Sequence, residues 1–272
     1  MQTGRLAGKI ALITGAGSGM GNATAHAMAQ EGATVYATDI SIEKLDAEYA
    51  DTNITALQLD ISDSAAVKEV FAQVAADHGK LDILVNAAGV AMPTRESTQR
   101  VDAINHAMVE AMQKGEVYNP EFFGGITDDE FDRAMRINLY GTFYMIREAI
   151  PLLKAAGGGA ITNFASIAGL VALPMPAYYP ASKAAVVGMT RAAAGELAPF
   201  NIRVNALAPA GINTAMLKGS GEDHANALLM MQPLKRFAEP EEIAQTLIFL
   251  SSNDGAHYTG QILSPSGGAY LA

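Results

Sequence analysis

Short apolar runs alternate with longer amphipathic ones along the whole chain. The segments Lys9–Thr14, Thr34–Thr38, Thr55–Gln58, Ile83–Asn86, Ala160–Phe164, Arg203–Ala208 and Gln261–Leu263 are brief and mostly continuous in apolar residues. Continuous apolarity, without strict alternation, predicts strands buried on both faces. Between them, Gly21–Glu31, Ser64–His78, Asp128–Ala155, Ala181–Leu197 and Glu239–Leu250 carry helical spacing. Strands joined through helices require right-handed crossovers, so the pattern predicts an α/β fold with a doubly wound parallel sheet and helices on both faces. No internal repeat or low-complexity linker divides it, and residues 1–272 read as a single domain.

One region breaks this rhythm. From Val90 to Gly125 no strand pattern appears, while Val101, Ile104, Met108 and Met112 recur at steps of three and four. That spacing predicts a short amphipathic helix ending near Gly115, before Pro120 and Gly124-Gly125 punctuate the return. An insertion at about residues 93–124 is either a surface excursion packed on the body or a lid over a ligand cleft.

Composition narrows the function. Half of the 272 residues are hydrophobic, enough for a full core. The net charge of -10 comes without any Lys/Arg cluster, which sets nucleic acid aside as a partner. The absence of cysteine excludes disulfides, thiolate metal sites and a cysteine nucleophile. His26, His78, His106, His224 and His257 show no ligand spacing, so no metal is expected. The opening MQTGRLAGK lacks a signal-peptide pattern, and no apolar stretch reaches the roughly 18 residues of a membrane span. A soluble, cytoplasmic protein is expected.

The stretch TGAGSGMG, Thr14 to Gly21, follows the first predicted strand. Its glycines fall at Gly15, Gly17, Gly19 and Gly21, and Met20 stands where the third glycine of a G-x-G-x-x-G turn is due. The setting still suits a phosphate cradle, because a strand–turn–helix junction aims free N–H groups and the positive helix end at one point. A flexible structural turn is the other reading of the loop alone. Asp39, ending the second strand, favours the cradle: a carboxylate there accepts from both ribose hydroxyls and repels a 2′-phosphate. Ile40, Ala16 and Ser18 supply no cation for such a phosphate, so NAD is expected over NADP.

Tyr179 and Lys183 are spaced one helical turn apart, with the helix expected to begin near Pro180. An ammonium beside a phenol stabilises the phenolate and lowers its pKa from roughly 10. Such pairs are common on helix surfaces, but Ser166 adds a hydroxyl just past the strand at AITNFAS, at the edge where open α/β sheets bind ligands. Tyr178, next to the phenol that has the right interval, reads as a packing residue.

Taken in order, TGxxxGxG, Asp39, Asn138, Ser166 and Tyr179-x-x-x-Lys183 resemble the shorter-chain branch of the short-chain dehydrogenase/reductase family, from Leu6 to about Tyr270. The resemblance implies a single Rossmann-type domain in which Gly15, Ser18, Gly19, Met20, Gly21, Asp39 and Ile40 form the cofactor turn and ribose site. By position, Asp60 and the Ile61 backbone would meet the adenine. Asn86, Ala87 and Gly89 would run beside the cofactor, and Pro209, Gly211, Ile212 and Thr214 would meet its carboxamide end. Tyr179 would be the general acid/base, Ser166 the donor to the substrate oxygen and Lys183 the ribose ligand and modulator of Tyr179. Asn138 would hold a water that extends the relay. The usual assembly is a homotetramer packed through the helices around Asp128–Ala155 and Ala181–Leu197.

The chain departs from the pattern at Ala87, at Ala210 after Pro209, at Ser266 and in the insertion. The expected activity is NAD-dependent hydride transfer between nicotinamide and a secondary alcohol or ketone. An apolar or cyclic substrate would sit among Met92, Val171, Met175 and Met216, with Val90, Leu217, Phe122 and Phe123 nearby. A non-catalytic NAD-binding regulator and an epimerase or dehydratase using the same Tyr–Lys pair remain alternatives. The Tyr-to-Lys interval argues against an enoyl reductase, and no G-x-S-x-G elbow supports a serine hydrolase.

Overall fold

In the computed structural model, which describes residues 4–218 and 222–271, all seven apolar runs enter one sheet. Strands β1 (Ile10–Thr14), β2 (Thr34–Asp39), β3 (Thr55–Gln58), β4 (Ile83–Asn86), β5 (Gly159–Phe164), β6 (Ile202–Leu207) and β7 (Ile262–Leu263) pair in parallel, in the order β3-β2-β1-β4-β5-β6-β7. Along β1, Ala11 and Ile13 enter one core cluster while Ile10 and Leu12 enter the other, which is the pleat of a strand buried on both faces. Edge strand β3 departs from that expectation: its outer positions Thr55 and Gln58 are exposed.

Helices α1 (Gly19–Gln30), α2 (Ile42–Tyr49) and α10 (Pro240–Ser251) cover the face built on Ile13. Helices α3 (Ser64–His78), α6 (Thr142–Ala155) and α7 (Tyr178–Leu197) cover the face built on Leu12. Each fully buried Leu or Ile contributes about 1.5–3 kcal/mol, and both faces hold many. The insertion holds α4 (Arg95–Lys114), closed by Gly115 in the left-handed region at φ 69, where glycine carries no Cβ penalty. Met112, counted in its apolar stripe, is exposed, so the stripe is buried only at its start, around Val101.

The run Asp128–Ala155 is not one α-helix. It comprises α5 (Asp128–Met135), a π-helical turn at Arg136–Gly141, and α6. Gly141 lies against Ile61, where a Cβ would fall 2.6 Å from Ile61 Cδ1. A wider turn there also presents the Asn138 carbonyl to the Thr142 hydroxyl at 2.8 Å. Helix α7 starts at Tyr178, two residues before the expected point, and Pro180 sits in its first turn, where the missing N–H costs nothing. Helix α2 and the pair α8 (Ala215–Lys218) and α9 (Glu222–Met231) were not anticipated; α9 packs against α4.

A buried polar ladder sets the position of α7. Asn86 and Asn163 are register partners on β4 and β5, and Asn86 Nδ2 donates to Asn163 Oδ1 at 2.8 Å. Asn163 Nδ2 donates to Thr190 Oγ1 of α7 at 3.0 Å, and that hydroxyl donates to the Val186 carbonyl at 2.8 Å. Apolar packing alone permits sliding, whereas directional bonds in a low dielectric do not. Replacing Asn163 by Ala strands the Asn86 amide and loosens Thr190. Chemical denaturation should show a loss of about 2–4 kcal/mol, larger than for Thr55→Ala on exposed β3.

Candidate active site

Parallel pairing places every strand C-terminus at one edge, and the strand order reverses between β1 and β4. A crevice therefore opens beyond Thr14 and Asn86. The turn after β1 is shaped by close approach. At Gly15, φ is 66 and a Cβ would fall 2.7 Å from Ala88 Cα; at Gly21 a Cβ would strike the Gly15 carbonyl. Helix α1 opens at Gly19, not at Gly21, with Ser18 as its exposed extended cap residue and Met20 packed on the core. Gly17 N–H donates to Asp39 Oδ2 at 3.1 Å and Ser41 N–H to Asp39 Oδ1 at 3.1 Å, which fixes the carboxylate against the turn. Any side chain at Gly17 would come within 2.9 Å of Asp39 Cγ. Ile40, beside it, is exposed.

Tyr49, on the unanticipated α2, completes this turn. Its buried hydroxyl donates to the Ala16 carbonyl at 2.7 Å, and burial pushes the phenol above its ordinary value. The signal was present in Ser41 as a cap and in the spacing of Ile42, Leu45 and Tyr49.

The remaining predicted contacts gather around the same crevice. Asp60 spends its carboxylate on the Ser62 amide at 2.9 Å and hydroxyl at 2.7 Å, while Ile61 is buried behind it. Asn86 keeps Oδ1 buried and without a protein partner. Ala87 packs on the core, and a Cβ on Gly89 would stand 3.0 Å from Asn138 Oδ1 and 3.3 Å from Lys183 Nζ. The Pro209 carbonyl accepts from Ile167 N–H at 3.1 Å. Ala210 has no left-handed φ, so the substitution for glycine there strains nothing. Gly211 is required by the Phe237 ring, 2.6 Å from a built Cβ. Ile212 bridges to Ala238, and Thr214 reaches Gly19 with Cγ2 3.2 Å from a Cβ built there. The turn and the Pro209–Thr214 segment thus meet at Gly19 and Thr214 across the crevice, and these residues fit a dinucleotide, whose phosphates the first turn of α1 would hold.

Ser166 leaves β5 and caps the short turn Ile167–Gly169, accepting from Ala168 N–H at 3.2 Å. Gly169 lets that turn approach α7 closely, since a Cβ would lie 2.7 Å from Ala184 N. Ser166 consequently stands beside the Tyr179 phenol and draws its pKa down. Lys183, one turn along α7, is 6% exposed; its Nζ donates to the Phe164 carbonyl at 2.8 Å and lies 5.9 Å from the Tyr179 ring centroid. Asn138 Nδ2 donates to Ser182 Oγ at 3.0 Å and to the Val90 carbonyl at 2.9 Å, and its Oδ1 accepts from Val90 N–H at 2.8 Å. Its side chain is fully committed to Ser182 and Val90.

One electrostatic expectation is corrected. Lys183 does not bring the Tyr179 phenol below its ordinary value here: burial raises it, opposed by the Ser166 hydroxyl. Burial likewise lowers Lys183 from 10.5 to about 8. Low dielectric disfavours charge on both groups, so each moves toward its neutral form.

Of the proposed substrate wall, Met92, Val171 and Met175 are half-buried, and the side chain of Met216 lies outside the described residues. Phe122 is half-buried and Phe123 exposed. Tyr178 is a fully buried packing residue whose hydroxyl donates to Met92 Sδ at 3.3 Å. No group of three His, Cys, Asp or Glu side chains gathers among the described residues, and no described helix is long and apolar enough to cross a membrane.

The Lys183 shift has a stability consequence. Below pH about 8 both folded and unfolded chains hold the proton, and the fold carries the full cost of a buried ammonium. Between about 8 and 10.5 the unfolded chain binds more protons, so stability rises with pH. Lys183→Met should therefore unfold at a higher temperature at pH 7, with a gain of up to about 3 kcal/mol that shrinks above pH 8.

Comparison with known proteins agrees with this fold. Residues 9–225 match the short chain dehydrogenase family. The chain is 38% identical over 272 residues to the 3-oxoacyl-[acyl-carrier-protein] reductase FabG of Thermotoga maritima, covering 98% of this chain and 100% of that one. It is 34% identical over 267 residues to an NAD-dependent glycerol dehydrogenase of Listeria innocua, covering 96% and 93% of the two. The solved structure of gox2181 superposes with a TM-score of 0.83 at 25% identity, covering 97% of this chain and 96% of that one. The chain belongs to the short chain dehydrogenase family.

Proposed function

We propose that this oxidoreductase of the short chain dehydrogenase family moves a hydride between NAD and a secondary alcohol or ketone, and that Tyr179, Ser166, Lys183 and Asn138 are its catalytic group. The observation that carries the reading is the meeting of Ser166, Tyr179 and Lys183 at the crevice, beside a glycine, Gly89, that admits close approach. Bound nicotinamide supplies the hydride acceptor or donor. Tyr179 takes the hydroxyl proton in oxidation and returns it in reduction, a transfer worth about 10²–10⁴-fold. Ser166 donates to the substrate oxygen and holds charge that develops there. Lys183, its pKa lowered to about 8 by burial, binds the ribose and passes protons toward a water held beside Asn138. A regulator that binds NAD without turnover has no use for this grouping, and the names of the relatives also describe chemistry at a C–O centre.

Asp39 supports NAD over NADP, since its carboxylate is held rigidly by Gly17 and Ser41 where a 2′-phosphate would lie. Met92, Val171 and Met175 support an apolar or cyclic substrate, and the insertion is read as a lid. A homotetramer is supported by α7, where Ala181, Ala184 and Gly188 form an exposed flat stripe, and by the exposed aromatics Tyr140 and Phe143.

Absorbance of reduced nicotinamide, screened over secondary alcohols and cyclic diols with NAD or NADP, tests the reading; Tyr179→Phe should abolish turnover. Asp39→Ser should raise the NADP-to-NAD ratio of kcat/KM by about tenfold or more, equivalent to roughly 1.4 kcal/mol. Ser166→Ala should cost about 10²-fold in kcat. It also removes the group that holds the Tyr179 phenol down, so the half-maximal pH for oxidation should move upward. A downward move would assign Ser166 a different role.

A further inference from the structure

The outgoing leg of the insertion, residues 90–100, is gripped at successive points by the elements that carry Asn138 and Tyr179. Asn138 holds both backbone groups of Val90. The Tyr178 hydroxyl donates to Met92 Sδ at 3.3 Å, and the fully buried Ser97 beside it draws its pKa down against the effect of burial. Glu130, 3% exposed in the first turn of α5, accepts from the Arg100 guanidinium at 2.6 Å and from Thr94 Oγ1 at 3.4 Å. The same carboxylate caps its own helix by accepting from Thr127 N–H at 3.1 Å. Tyr178 lies in the field of the Arg100–Glu130 pair as well. The return leg is different in kind: Val117 and Phe123 face solvent at 89% and 78% exposure.

A buried carboxylate, its half-buried guanidinium partner and a buried tyrosine hydroxyl each cost free energy unless bonded in good geometry. Apolar residues would have sealed this corner more cheaply, but they would not fix the leg at one height along α7. Tyr178 immediately precedes Tyr179, so a shift of the leg is felt at the phenol through one peptide unit.

We propose that Glu130 and Tyr178 are positioning residues that lock the outgoing leg of the insertion to the first turn of α7, making Met92 and the Tyr179 phenol one rigid unit that sets substrate affinity. The kinetic part of this inference rests on the reading of Tyr179 as the proton-transfer group. The mechanical part does not. It also assigns any lid motion to the return leg, because the outgoing leg is fixed.

Tyr178→Phe and Glu130→Gln, made in the full chain, test the lock. Tyr178→Phe keeps the ring and removes only the hydroxyl with its bond to Met92, so it preserves the fold even where Glu130→Gln does not. Amide exchange should rise in both variants over residues 90–100 and over 177–183 together. KM for a turned-over alcohol should rise about threefold to tenfold while kcat changes less, and NAD affinity should hold. Glu130→Asp should recover part of the KM loss. Exchange that rises over 90–100 alone, or kcat that falls at constant KM, overturns the proposal. Exchange needs no turnover, so a wild-type protein inert toward every alcohol would sink the functional reading while the exchange pattern still decides the lock.

Discussion

A lysine ammonium inside a protein is costly, and the geometry around Lys183 follows from meeting that cost. The nearest remedy is the Phe164 carbonyl, which ends β5 and has no further strand residue to serve. Reaching it requires the first turns of α7 to lie over the end of β5, and the Asn163–Thr190 bond holds them there from two turns away. Ser166 follows Phe164 by two residues, so the carbonyl that steadies the ammonium also delivers the hydroxyl to the phenol. One backbone group thereby ties three side chains together. A single partner leaves the ammonium only half compensated, which is why its pKa stays near 8 and within reach of proton exchange.

The cofactor side is organised by exclusion of side-chain atoms. Gly15 and Gly21 press the turn onto Ala88 and onto itself, and Gly17 clears room for the Asp39 carboxylate. Once that carboxylate has taken two backbone donors, its charge has a fixed direction, and a fixed charge discriminates against phosphate better than a mobile one. The Tyr49 hydroxyl pulls the turn from behind through the Ala16 carbonyl. These contacts are mutually dependent: loosening any of them lets the turn relax toward an ordinary loop.

Much of this was legible in the amino-acid order. Buried parallel strands need continuous apolar runs, and all seven were found within a residue or two of their ends. Tyr179 and Lys183 were visible because a helix converts sequence interval into proximity. What escaped notice is equally physical. The partner of Lys183 is a main-chain oxygen, which no residue type announces. The pairing of Asn163 with Thr190 has no mark in the sequence, because their meeting depends on how α7 crosses β5. The π-helical turn changes backbone pairing without disturbing the apolar stripe, and Gly141 inside a helical pattern was its one mark. The electrostatic error had a similar source: spacing brings charges together, but burial decides which form each prefers.

Glu130 shows how a locally sensible residue acquires a second use. As the third residue of α5 it completes a capping box with Thr127, and the helix needs nothing more from it. Yet its carboxylate has lone pairs to spare, and the insertion supplies Thr94 and Arg100 to take them. An inserted segment gains little by floating over a cleft, because every ordering event on binding then subtracts from affinity. Fastening its first half to an existing cap removes that loss at the Met92 side. Val117 and Phe123 of the return leg stay exposed, so the fastening is confined to the first half of the insertion.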